Sequence, residues 1–202
     1  MSRRWLLLIY TVPTTPSRTR AYVWRELRRK GALLVRDGVA ALPESAAART
    51  WASEAAKRIA AGGGTATASR ATFGTPDERR LISAFQRERD REYAEIKSSC
   101  ADLLAHIARE REHAAFSFEE LEELEADLGK IQRWFADVRQ RDWFRAPAGR
   151  AAERALASCE RRVRGFAERA SREDLAARAV GPLARPRAAA GAPPKRNRRS
   201  RG

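Results

Sequence analysis

The chain has only two cysteines, Cys100 and Cys159, and no Cys-x-x-Cys pair, which excludes a disulfide framework and a zinc knuckle. A reducing cytoplasm is the compartment this usage implies. Long apolar runs are lacking too. The one continuous run, Trp5-Leu6-Leu7-Leu8-Ile9-Tyr10, is far below the roughly 20 residues that crossing a bilayer takes, so no membrane association is expected. Arg3 and Arg4 imitate the basic start of a secretion signal, but Thr11-Val12-Pro13 closes the run early and no small-residue cleavage site follows. The run therefore reads as a strand buried on both faces.

Groupings that carry catalysis are missing as well. The carboxylates of Glu119-Glu120-Leu121-Glu122-Glu123-Leu124-Glu125 are the solvated face of a helix, and they suit its N-terminal dipole. His106 and His113 lie seven apart with Cys100 six before the first, too loose for a metal site, which needs three or four ligands. Gly62-Gly63-Gly64 lacks the Lys-Ser/Thr of a phosphate loop and reads as a helix stop. Both cysteines fall inside apolar stripes, where a thiol behaves as a small hydrophobe, with redox sensing as the alternative. Neither an enzyme, a metal nor a cofactor is expected.

What is abundant is positive charge. The formal net charge of the 202 residues is +15, and it is uneven: residues 1–75 carry 13 Lys/Arg against 4 Asp/Glu, residues 76–180 carry 21 against 22, and residues 181–202 carry 7 against none. Basic ends around a near-neutral middle draw phosphate backbones, which makes DNA the leading partner. A second source of the excess is coding bias, since 36 of the 41 basic residues are Arg and Ala is abundant.

Local patterns divide the chain. A strand over 4–11 precedes a helix capped by Ser17 with Tyr22, Val23 and Leu27 on one face, stopped at Gly31. Two short strands flank Asp37-Gly38, a strong hairpin signal. Ser45 caps a second helix carrying Trp51, Ala55 and Ile59, and Thr65 to Phe73 makes a fourth strand. The order β-α-β-β-α-β is that of a ferredoxin-like unit. Thr75-Pro76-Asp77-Glu78 opens a long helix, Ser117-Phe118-Glu119-Glu120 is a capping box for the next, and three stripes at 3-4 spacing follow. They are Ile82, Phe85, Tyr93, Ile96, Cys100, Leu103 and Ile107, with Arg89 filling one gap; Leu121, Leu124, Leu128, Ile131, Phe135 and Val138; and Ala152, Leu156, Cys159, Val163, Phe166 and Ala170. The fold class expected is α+β: a ferredoxin-like domain over 1–74, an antiparallel three-helix bundle or coiled coil over 75–180, and a disordered Arg-rich tail over 181–202.

The first helix carries the candidate sites. Arg18 and Arg20 occupy its first turn, where positive charge opposes the helix dipole and an anion would reverse that cost. Ser17, Arg18, Arg20 and free backbone N–H groups would then hold an oxyanion such as chromate, sulfate or phosphate; the alternative is a fully solvated turn. Arg25, Arg28, Arg29 and Lys30 extend the basic face, and Lys195, Arg196, Arg198 and Arg199 repeat it in the tail, both suited to tracking a nucleic-acid backbone without reading bases.

The residues Trp5 to Tyr10, Val12-Pro13, Pro16-Ser17-Arg18-x-Arg20, Val23-Trp24-Arg25-x-Leu27, Gly31-Ala32 and Gly38-Val39-x-x-Leu42-Pro43 resemble the N-terminal domain of ChrB, the bacterial chromate-resistance regulator. The likeness continues through Phe85-x-x-x-Arg89-Asp90-x-Glu92-Tyr93-x-Glu95-Ile96, Phe118-x-x-Leu121-Glu122, Trp134-Phe135 and Arg141-Asp142-x-Phe144, covering residues 4 to about 170. It implies a cytoplasmic, DNA-binding transcriptional regulator or accessory factor of chromate resistance. It also implies that the second, chromate-sensing domain of longer members is replaced here by the basic tail. The ferredoxin-like part is similar, too, to the central domain of phenylacetate-type repressors and to small CRISPR-adaptation nucleases. Tyr10-Thr11-Val12 lacks the Asp such nucleases carry at the end of the first strand. A different class of reading is a protein-interaction module, pairing through its helical bundle with itself as a homodimer or with a separate sensor.

Overall fold

The computed structural model describes residues 3–15, 18–112 and 116–179. The sheet grows around the apolar run noted above. β1 (Trp5–Thr11) is followed by α1 (Arg18–Lys30), β2 (Leu33–Arg36), β3 (Val39–Pro43), α2 (Ala46–Ala61) and β4 (Thr65–Ala71), with Asp37-Gly38 turning β2 into β3. The strands lie in the order β2-β3-β1-β4, and every pair is antiparallel. β1 is thus central, with Leu6 opposite Leu42 on β3 and Arg70 on β4.

Alternation along β1 divides its side chains between two cores. Leu6 and Leu8, with Ala40 and Leu42 of β3, pack under Val23 and Leu27 of α1 and Trp51, Ala52, Ala55 and Ile59 of α2. Trp5, Leu7 and Ala41 point to the opposite face. The cover on that face ends before Ile9, which is 45% exposed, so β1 is buried on both faces only over its first half. β2 is an edge strand whose Leu34 and Val35 are exposed. The fourth strand ends at Ala71, short of the expected Phe73, which leaves the ladder and packs beside Trp5 with ring centroids 6.1 Å apart.

Three long helices complete the described residues: α3 (Thr75–Glu112), α4 (Phe118–Gln140) and α5 (Gly149–Ala179). The cap at Ser45 forms, its Oγ accepting the Ala48 N–H at 3.0 Å. Ser117 caps α4 in the same way, accepting the Glu120 N–H at 3.1 Å. The three stripes meet one another in a single core, with Tyr93, Leu124, Val138, Cys159 and Phe166 almost wholly buried. The first turns of α3 do something different. Leu81 and Phe85 cover the second face of the sheet, joined by Phe144 from the α4–α5 connection; Phe144 lies 5.7 Å from the Trp5 ring and 5.3 Å from Phe85. The N-cap expected at Ser17 and the tail 181–202 lie outside the described residues.

Candidate nucleic-acid interface

Helix α1 buries Val23 and Leu27 and turns its charges outward. Arg18, Arg20, Arg25, Arg28 and Arg29 are exposed, while Lys30 is half-buried. Their surroundings differ. Arg29 pairs with Glu26 at 2.7 Å. That hydrogen bond outweighs the carboxylate's partial burial and holds Glu26 below the usual carboxylate range. Arg28 lies over the ring of Trp24, 5.0 Å from its centroid. Arg18, Arg20 and Arg25 form no ion pair with any described residue, and the first turn of α1 contains no acidic side chain.

Helical spacing sorts these groups further. Arg18 and Arg20 stand two residues apart in the first turn of α1, both exposed. Arg20, Trp24 and Arg28 stand four apart and share a side. All three line a cleft of about 590 Å³ between α1, the β2–β3 hairpin and α3, into which Leu34 and Arg89 also project. Trp24 is 57% exposed. This Arg-x-x-x-Trp-x-x-x-Arg stripe was present in the sequence as an i, i+4, i+8 pattern, but Trp24 enters there only through the family resemblance. Lys195, Arg196, Arg198 and Arg199 lie outside the described residues, as does Ser17.

Behind the cleft lies a buried ionic joint. Arg89 and Glu92 of α3 have side chains 10% and 11% exposed and pair at 2.9 Å. Arg141, just after α4, pairs with the other oxygen of Glu92 at 2.8 Å. It also donates to the Arg28 carbonyl near the end of α1, at 3.4 Å. Burial pushes the Arg89 guanidinium below its ordinary value, with Glu92 opposing that effect. One turn on, the Tyr93 hydroxyl donates to Asp142 at 3.2 Å. Burial, assisted by the Asp142 charge, pushes this phenol up to about 12. Asp142 accepts the Ala146 N–H at 2.9 Å, Asp90 accepts the Ala148 N–H at 2.8 Å, and the Gln86 amide donates to the Phe144 carbonyl at 3.1 Å. A row of α3 residues thereby grips the whole α4–α5 connection. These are largely the residues that carried the family resemblance, and their service is to hold the parts of the protein together.

The remaining candidates are separate from this region. Cys100 and Cys159 are buried in the helical core, where the Cys159 thiol donates to the Cys100 carbonyl at 3.3 Å. Burial raises both thiols, Cys159 to about 12, the opposite of a reactive sensor thiol. No helix among the described residues is long and apolar enough to cross a membrane.

The fold and site define a class first: an α+β module that presents a basic, aromatic-bearing helix beside a cleft and joins its sheet to its helices through buried charges. The family follows from comparison. Residues 20–176 match the family described as Protein ChrB, N-terminal, and the chain belongs to that family. Membership relates it to the regulation of chromate resistance. The match begins at Arg20, so β1 and Arg18 precede it. No curated protein matches the chain.

Proposed function

We propose that this protein is a non-catalytic, cytoplasmic regulator of chromate resistance that contacts DNA through α1. The observation that carries this reading is the stripe Arg20, Trp24, Arg28 on one cleft, with Trp24 more than half exposed. A guanidinium spaced one turn either side of an open indole matches a nucleic-acid backbone well: the cations neutralise phosphates, and the ring offers a flat face. Arg18 and Arg25 add charge on the neighbouring side, whereas Arg29 is largely committed to Glu26. Lys195, Arg196, Arg198 and Arg199 would extend the same attraction by charge alone. Phosphate oxygens are the oxyanions this arrangement suits, met by Arg20 and Arg28 along the stripe and by Arg18 and Arg20 at the start of the helix.

The same reading takes the strand order β2-β3-β1-β4, with α1 and α2 on one face, as the ferredoxin-like arrangement, and α3, α4 and α5 as an antiparallel three-helix bundle. The stripes of those helices pack on one another, and pairing of the bundle with a second copy or a separate sensor is the other reading, for which Phe118 of α4 and Leu175 of α5 stay exposed.

Band-shift titration against duplex DNA tests the proposal. Affinity should fall steeply between about 50 and 200 mM salt, with a log–log slope near −0.9 per phosphate contacted. Replacing Arg20 and Arg28 together with Gln should flatten that slope by about two contacts, and Trp24→Ala should weaken binding with the slope unchanged. Affinity that is indifferent to salt, or equal in wild type and the double variant, would remove α1 as the interface.

A further inference from the structure

We propose that His106, Glu110 and Glu120 form a zinc(II) site at the end of the helical unit, where the last turns of α3 meet the first turn of α4. His106 and Glu110 are one turn apart on α3 and share a face. Glu120 approaches them from α4. One ligand atom from each residue can be chosen so that all lie within 4.8 Å of one another. His106 Nε2 is 2.9 Å from Glu120 Oε1 and 3.8 Å from Glu110 Oε1. Imidazole nitrogen and carboxylate oxygen bound tetrahedrally to zinc at roughly 2.0–2.2 Å lie about 3.3 Å apart, between those two distances.

Burial adds to this spacing. Glu120 Oε1 is buried, and His106 Nε2 lies beside it at 2.9 Å. The side chains of His106, Glu110 and Glu120 are 27%, 21% and 21% exposed, shielded enough that two neighbouring carboxylates repel and a cation between them offsets the cost. His106 also lines a groove of about 470 Å³ between α3 and α4, shared with Asp102, Asp127, Arg109 and Lys130. Three protein ligands leave the fourth position to water.

Spacing along the chain could not find this trio, because the nearest candidates in sequence, Cys100 and His113, are the wrong ones. Cys100 faces the core, His113 lies outside the described residues, and Glu120 comes from another helix.

The test uses the untagged full chain, stripped with EDTA, dialysed against zinc and freed of excess ion. One equivalent of zinc should be retained, cobalt(II) should give the visible d–d bands of a low-symmetry N/O site, and zinc should raise the melting temperature. His106→Ala and Glu120→Gln should each weaken zinc binding by at least about tenfold, the scale on which even a supporting residue matters, and abolish the thermal shift. Far-UV circular dichroism checks that they stay helical; Glu110→Gln, one turn away on α3, serves if either does not. No zinc retained, or equal retention in all variants, would overturn the site and leave His106 with an ion pair to Glu120.

Discussion

Arg89 and Arg141 converge on the single carboxylate of Glu92 where little water reaches them. Charges removed from water are costly unless paired, and the cost of breaking such a pair exceeds what forming it contributes. Glu92→Gln keeps the shape but leaves two guanidinium groups facing one neutral amide. It should destabilise the protein by about 3–5 kcal/mol, read as a lower midpoint in urea; a change under about 1 kcal/mol would show that water already solvates the trio. Tyr93 gives a pH signature. Its folded pKa of about 12 lies above the ordinary value near 10, so the folded state holds the phenolic proton more tightly. Its contribution to stability is complete below pH ~10 and is lost as pH rises through about 12. Burial raises Tyr10 as well, with Asp37 adding to it, so alkaline unfolding should persist but weaken in Tyr93→Phe, and the last phenolate step in the ultraviolet titration should vanish.

Among the elements, the end of α1 is the most constrained. Gly31 has φ +64°, and its amide donates to the Arg28 carbonyl at 3.0 Å. A Cβ there would sit 2.6 Å from Arg141 Cβ and 3.2 Å from Arg89 Nη1. Gly63 has φ +79° but nothing nearer than 4.0 Å. Gly31→Ala and Gly63→Ala therefore share the left-handed strain, of order 1 kcal/mol, while only the first displaces the ionic joint. Thermal denaturation should show the greater loss for Gly31→Ala, and equal losses would mean that Arg141 moves aside freely. The glycine stop itself was legible, as were the caps at Ser45 and Ser117, because a cap and the amide it binds are three residues apart. The joint behind Gly31 was not, since Arg141 and Glu92 are 49 residues apart.

At the scale of the molecule, the sheet has no free face where it meets α3. Trp5, fully buried, touches Phe85 and Phe144 and donates from its indole nitrogen to Glu78 at 3.2 Å. Residues 1–74 read as a domain by pattern, yet their second face is completed by α3 and by a residue from beyond α4. A fragment ending at residue 74 would expose Trp5, Leu7 and Ala41 together, an apolar patch of the kind that drives association. It should bind a hydrophobic dye and unfold without a sharp transition, whereas the full chain should unfold in one step reported alike by tryptophan fluorescence and circular dichroism. Independent cooperative folding of that fragment would show that α1 and α2 alone suffice to hold the sheet.

The sequence by itself determined the elements, their order and the placement of charge, because periodicity, capping and turn chemistry act over at most a few residues. It also located the residues of the family motif, Arg89 among them, though not what Arg89 pairs with. Tertiary packing decided the rest. It set Arg89 and Arg141 on one carboxylate, put Arg20, Trp24 and Arg28 along a cleft whose other wall is α3, and carried Glu120 to His106. Each of these depends on which faces of separate helices come to rest against one another, and hydrophobic burial, which drives that docking, is non-directional. The polar partners are settled only once the apolar faces have closed.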